Sequence, residues 1–271
     1  MKPWLLITAV FCIVPVWRVV LAEDAESSAD APATEEDRRA FADADREMNK
    51  VWAKATSGLD KASLRKLKTD QNSWLKYRRR FSTSPMYLGK RVESEKEIEG
   101  LASHFAALTI LTADRTEWLA GISEPLPKGG SVEGRWTDSY GGTMELVEEG
   151  TKLHFTFRVV RGDTFHDGSI CGAASWNGRT GIFTDRDDPD SAKEAVIVFV
   201  LRGNQIEVVG ERTSEYHGNA AYFDGDYARV EALDTAQRKT LLEKVAEASA
   251  RKEECAEDGP PACCSRLRSG R

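Results

Sequence analysis

The first half of the chain has a helical spacing of apolar side chains. From residue 34 onward, apolar positions recur at alternating steps of three and four residues, which places them on one face of a helix. Three such stripes predict three helices, the third beginning at Ser84-Pro85. The short connections favour an antiparallel helical hairpin or bundle over residues 34–122. The stripes contain Phe41, Asp45, Met48, Trp52 and Ala55; Leu64, Leu67, Gln71, Trp74, Arg78 and Phe81; and Ile98, Leu101, Phe105, Leu108, Thr112, Arg115, Leu119 and Ile122.

The second half has the period of two that is typical of strands. Residues 123–132, which contain two prolines and two glycines, are predicted to be a linker. Eight short runs with glycine-bearing turns follow within residues 133–232, and their regular spacing favours an up-and-down β-barrel. A last amphipathic helix is expected within residues 233–252, with Leu241, Leu242 and Val245 covering a barrel end. The fold class predicted from these patterns is α+β. The eight runs are Gly134–Ser139, Thr143–Val147, Leu153–Val160, Ser169–Ala174, Gly178–Thr184, Ala195–Leu201, Ile206–Glu211 and Tyr222–Arg229.

The N-terminal segment predicts export. Residues 1–22 combine a basic start, an apolar run too short to span a bilayer and a small-residue cleavage pattern, which together indicate a signal peptide. Residues 23–33 have the composition of a disordered leader, and residues 253–271 that of a loose tail. We therefore expect a periplasmic or secreted protein with no membrane span in the mature chain. Disulfides are plausible there, with connectivity left open, among Cys171, Cys255, Cys263 and Cys264.

The charge is concentrated in the barrel half. The whole chain has a net charge of −6, and residues 131–232 hold 10 basic and 18 acidic side chains, a net of −8. This balance disfavours nucleic acid and favours a basic partner, although solubility alone would also explain it.

Catalytic and metal-binding patterns are weak. Four aspartates lie within residues 183–191, but the glycine and final glutamate of a calcium-loop template are missing, so a solvated loop is favoured. The four histidines are scattered, and no nucleophile motif accompanies them. A basic run around residues 76–91 could contact anionic envelope polymers or lipid headgroups, but a solvated helix face is the commoner explanation. We predict no catalytic residues, no metal and no cofactor, and hence no enzyme.

Three segments of the helical half resemble the LprI lysozyme-inhibitor family over residues 37–121. They are ADREMN at 44–49, QNSWLKYR at 71–78 and LTADRTEWL at 111–119. The resemblance implies an exported all-helical domain associated with inhibition of lysozyme-type muramidases. The residues that carry it are expected to be mainly structural: Asp45, Asn49, Gln71, Trp74, Arg78, Thr112 and Arg115. No binding residue is singled out.

Two functions remain open. The first is an exported cell-envelope binding protein that inhibits a cationic lysozyme-type enzyme by protein–protein contact. The second is a small-ligand-binding barrel with a helical docking module. It is excluded if the interior is filled by Phe155, Phe157, Ile182, Val198, Val200 and Val208.

Two inward polar side chains give a structural test of the helical prediction. Asp45 and Arg78 lie on stripes that should otherwise be apolar, and a buried charge needs a partner. We predict an Asp45–Arg78 ion pair that sets the helix register, with Arg115 as the second choice of partner. The alternative is that both side chains extend to water. Trp74 is expected to be buried.

Overall fold

The computed structural model describes residues 31–92, 94–161, 166–185 and 194–258, with side chains up to residue 251. The predicted signal peptide, residues 23–30 of the leader and residues 259–271 of the tail lie outside these residues, and residues 253–258, which were predicted to belong to the tail, continue the last helix. Five helices come first, then eight strands and a last helix. The helices are α1 (Glu35–Thr56), α2 (Lys61–Ser82), α3 (Pro85–Leu88), α4 (Glu95–Ile98), α5 (Ala102–Ser123) and α6 (Thr235–Asp258). The strands are β1 (Gly134–Thr137), β2 (Gly142–Glu149), β3 (Lys152–Arg161), β4 (His166–Trp176), β5 (Thr180–Asp185), β6 (Ala195–Arg202), β7 (Gln205–Glu211) and β8 (Gly225–Glu231).

Helices α1–α5 form the helical domain. Capping residues mark the starts of α1 and α2. The side chains of Thr34 and Asp60 accept hydrogen bonds from the free backbone N–H groups of the first turn of each helix. The third predicted helix is instead divided into α3, α4 and α5. The break follows from Gly89, which takes a φ of 72° at the end of α3, and from Ser94, which caps α4.

The long helices α1 and α5 run side by side in the same direction. The Phe41 and Phe105 rings near their starts lie 6.3 Å apart, and Lys54 near the end of α1 pairs with Glu124 after α5. Helix α2 also packs on α5, and Trp74 at its centre is completely buried, as predicted. No helix in the described part of the chain is long and apolar enough to cross a membrane.

The eight strands confirm the predicted up-and-down barrel. Each strand pairs with the next in antiparallel fashion, and β8 pairs with β1 to close the sheet. Closure leaves no free strand edge. The interior is filled by aromatic and aliphatic side chains, with Phe155 in contact with Phe183 and Phe199, and Phe157 in contact with Tyr227.

Three of the six side chains expected to fill the barrel interior do not lie there. Phe155, Phe157 and Val208 point inward and are buried, whereas Ile182, Val198 and Val200 lie on the outer wall. The reason is that β6 is a continuous apolar run, AVIVFVL, in which no alternation shows which residues face inward. Their inward counterparts are Phe183, Ile197 and Phe199.

The position of α6 differs from the predicted one. Leu241, Leu242 and Val245 pack against Val147 and Ala173, which are outward-facing residues of β2 and β4. The helix therefore covers the outer wall of β2–β4 and not a barrel end. The prediction failed because an apolar stripe on a helix does not show which apolar surface it covers.

Candidate functional site

Helix α5 docks directly against strand β8, and we call this contact between the helical domain and the barrel the seam. Gly121 permits the close approach, because a Cβ added there would lie 2.5 Å from the carbonyl oxygen of Arg229. Trp118 donates its indole N–H to the Asp226 carbonyl oxygen at 3.0 Å. Asn204 donates to the carbonyl oxygens at the end of α5, including that of Glu124 at 3.0 Å. These contacts fix one orientation of the helices on the barrel.

Within the helical domain, the predicted ion pair is present. The Arg78 Nη1 atom donates to Asp45 Oδ1 at 2.8 Å and to Thr112 Oγ1 at 3.0 Å. Asn49 donates to the other Asp45 oxygen at 3.2 Å. The Arg78 guanidinium also lies 5.1 Å from the Trp74 ring centre, within cation–π range. One polar cluster thus joins α1, α2 and α5.

Arg115 was the second choice of partner for the Asp45–Arg78 pair, but it belongs to a different cluster. Its side chain is completely buried and does not contact Asp45. Its Nε atom donates to Gln71 at 2.9 Å, Nη1 donates to Ser139 of the barrel at 3.0 Å, and Nη2 pairs with Asp70. Burial lowers the pKa of Arg115, and the Asp70 carboxylate opposes that shift. Arg115 therefore ties two helices to the barrel across the seam.

A second buried ion pair closes the adjacent end of the barrel. Asp138, just after β1, pairs with Arg161 at 2.6 Å, and both side chains are almost completely buried. Asp138 also accepts the backbone N–H groups of Tyr140 and Gly142, each at 2.8 Å. The remaining Arg161 N–H groups reach carbonyl oxygens of the β1–β2 turn and of Tyr222. The pKa of Arg161 is raised because Asp138 and nearby phenols outweigh the effect of burial.

Comparison with known families finds one similarity, and it lies in the helical domain. Residues 23–119 match the family model described as lysozyme inhibitor LprI. This part of the chain is therefore similar to the LprI family. The match ends within α5, before the barrel begins. No curated protein and no solved structure matches the chain.

The residues that carry the LprI resemblance lie in the polar clusters described above. Trp74, Thr112 and Arg115 are completely buried in the helical domain, and Asn49 and Gln71 bond to neighbouring side chains. The Asp45 side chain is 36% exposed, and Asn49 lies on the surface. The burial of Trp74, Thr112 and Arg115 favours a structural role for these three residues, whereas Asp45 and Asn49 keep surface that is open to a partner.

Sequence reasoning missed the partners of these motif residues. Asp70 directly precedes the motif Gln71, and its acidic side chain next to a motif position was the one available signal. No sequence signal marked Asp138, Ser139 or Arg161, because their importance depends on contacts with distant residues. The His104 ring contacts the carbonyl oxygen of Ser82 and so joins α5 to the end of α2. Among the described residues, no group of three or more His, Cys, Asp or Glu side chains is arranged to hold a metal ion.

Three carboxylates gather at one margin of the seam, and we call them the acidic margin: Asp70, Glu207 and Asp226. The pKa of Asp226 is raised, first by loss of hydration and then by the neighbouring carboxylates of Glu207 and Asp70, while Lys66 opposes the shift. Asp70 is already paired with Arg115 and Glu207 with Arg202, whereas Asp226 has no ion pair with any residue that the structure describes. The margin includes residues of both the helical domain and the barrel.

Asp114 of α5 provides a pH-dependent prediction. Burial, followed by the nearby Glu117 carboxylate, raises the pKa of Asp114 to about 7, and Asp138 adds to the shift while Arg135 opposes it. Because the folded protein holds this proton more tightly than the unfolded chain, Asp114 lowers stability as the pH rises from about 4 to 7. Asp114→Asn should therefore raise the melting temperature at pH 8 and leave it almost unchanged at pH 4. A gain of equal size at both pH values, measured by circular dichroism, would contradict this.

Proposed function

We propose that the protein is an exported cell-envelope inhibitor of lysozyme-type muramidases, which it binds by protein–protein contact. The observation that carries this proposal is the match of residues 23–119 to the lysozyme inhibitor LprI family. That family consists of inhibitors and not of enzymes, which agrees with the absence of a catalytic motif in the sequence. The predicted signal peptide supports a location in the periplasm or outside the cell.

Electrostatics support a cationic enzyme as the partner. The barrel half has a net charge of −8, which would speed encounter with a basic protein. We place the contact at the acidic margin, because it joins the helical domain to the acidic barrel. Within the margin, Asp70 holds Arg115, whereas Glu207 and Asp226 lie on the barrel strands β7 and β8. Those two residues are therefore suited to mutation without loss of the buried network.

The alternative of a ligand held inside the barrel is disfavoured by the packing. Phe155, Phe157, Phe199 and Phe223 are almost completely buried inside the barrel, where they pack against other aromatic rings. A small-molecule site would need an open cavity at that position.

Inhibition is tested by a turbidity assay. Mature protein from residue 23 onward should slow lysis of bacterial cells by at least one class of lysozyme at micromolar concentration. The Glu207→Gln/Asp226→Asn double variant should slow association with the enzyme about tenfold at low salt, since charges at the margin of an interface mainly affect the on-rate. Glu215→Gln, which removes an exposed barrel carboxylate away from the acidic margin, is the matched control.

Two results would contradict the proposal in different ways. If no lysozyme class is inhibited at micromolar protein, the proposed function is wrong. If inhibition occurs but the double variant and the control behave alike, the enzyme binds elsewhere and the acidic margin is not the contact.

A further inference from the structure

Helix α6 leaves part of the outer barrel wall uncovered, and a groove lies there. The helix packs on the row of outward residues that contains Val147 and Ala173. The two neighbouring rows face a cavity of about 560 Å³, which the α6 residues Lys244 and Ala248 also line. Paired across the strands, these rows are Arg135, Glu145, Thr156 and Cys171, and then Thr143, Arg158 and Ser169.

The groove is cationic although it lies on an acidic barrel. Arg135 is engaged with Glu117 and Glu231. Arg158 and Lys244, in contrast, are exposed and make no ion pair with any residue that the structure describes. The basic side chains of Arg158 and Lys244 outnumber the carboxylate of Glu145, which also lines the groove, so the groove has a net positive charge.

Three hydroxyl groups lie on a floor whose exposed surface is mostly apolar. Thr143 and Ser169 stand on either side of Arg158 in one row, Thr156 lies in the next row, and each hydroxyl can both donate and accept hydrogen bonds. Glu145 accepts a hydrogen bond from Thr156 at 3.2 Å and retains capacity for further donors. A mostly apolar floor with a few hydroxyl groups suits a sugar ring, which presents apolar C–H faces and hydroxyl groups at its edge. Arginine and lysine at the sides of this floor suit carboxylates, which the planar guanidinium can bind through two hydrogen bonds.

We infer that this groove binds a carboxylate-bearing glycan. A cavity of this size lies in the range of small-ligand sites and takes a short stretch of saccharide. The choice of glycan rests in part on the proposed function, because the polymer that a muramidase cleaves carries carboxylates on its peptide stems and, where a stem has been removed, on the lactyl group of muramic acid. An inhibitor that also binds this polymer would be held where its target enzyme acts.

The test compares two saccharides that differ in carboxylates. Binding to the mature protein is measured by calorimetry with a tetrasaccharide of alternating N-acetylglucosamine and N-acetylmuramic acid, and with chitotetraose, its uncharged counterpart. The acidic tetrasaccharide should bind about tenfold or more tightly than chitotetraose, and added salt should reduce the difference, as expected for exposed charges.

Matched variants assign the binding to the groove. Arg158→Gln and Lys244→Gln should each weaken binding of the acidic tetrasaccharide about five- to tenfold. The controls are Arg179→Gln, an exposed arginine of the barrel outside the groove, and Lys239→Gln, an exposed lysine of α6 outside the groove, and both should bind as the parent protein does. All four positions are exposed, so the variants should fold.

The inference is overturned if the two saccharides bind equally, if neither binds at millimolar concentration, or if Arg158→Gln and Arg179→Gln behave alike. These outcomes are separable from failure of the proposed function. Glycan binding without inhibition of any lysozyme refutes the inhibitor proposal, and inhibition without glycan binding refutes the groove.

Discussion

Asp138→Ala should lower the free energy of unfolding by about 3–5 kcal/mol, because it leaves the Arg161 guanidinium buried without its carboxylate. The substitution also removes the acceptor for the backbone N–H groups of Tyr140 and Gly142, which form the β1–β2 turn. Loss of both effects should open the end of the barrel next to the helical domain. Urea denaturation followed by tryptophan fluorescence measures the change.

Two further variants test the cause. Glu211→Ala, which removes an exposed barrel carboxylate, should change stability by less than about 0.5 kcal/mol. Adding Arg161→Met to Asp138→Ala should recover part of the loss, because the unpaired buried charge is then gone. A double variant that is less stable than Asp138→Ala alone would show that Arg161 stabilises mainly through its backbone partners.

Arg115→Ala should be similarly damaging, at about 3–5 kcal/mol, because it breaks a completely buried network across the seam. The variant leaves Gln71 and Ser139 without a donor and leaves Asp70 without its cation. It also removes a guanidinium that lies 4.2 Å from the Trp118 ring centre. Since the network joins the helices to the barrel, the variant should show the two parts unfolding in separate transitions.

Urea denaturation measures the free energy of unfolding of Arg115→Ala, and calorimetry shows whether it unfolds in one transition or two. Arg65→Ala, which removes an exposed arginine of α2, is the control and should stay within about 0.5 kcal/mol of the parent. Arg115→Lys should be intermediate, because an ammonium keeps the charge near Asp70 but lacks the planar fork that reaches Gln71 and Ser139 together. A single cooperative transition with near-parent stability would mean that the seam depends on Gly121 and Trp118 instead.

Local periodicity was enough for much of the fold. The helical stripes predicted α1 and α2 and the burial of Trp74, and the antiparallel turn between them brought Asp45 within reach of Arg78. These features depend on residues close in sequence or on one short connection. The alternation of β3 likewise placed Phe155 and Phe157 inside the barrel, and the strand rhythm predicted its eight-stranded closure.

Local spacing and composition were enough to predict α1, α2 and the eight strands, the LprI resemblance and the charge of each half. They did not predict that the third helix is divided into α3, α4 and α5. The inward direction of Phe199 and the outward direction of Val198 in β6 depend on the folded barrel, since a continuous apolar run satisfies either choice locally. The position of α6 on the outer wall, and the pairing of Arg115 with Asp70 and Ser139 across the seam, also depend on the tertiary structure. Each of these depends on which distant surface an element meets, and many surfaces are equally apolar or polar until the chain is folded.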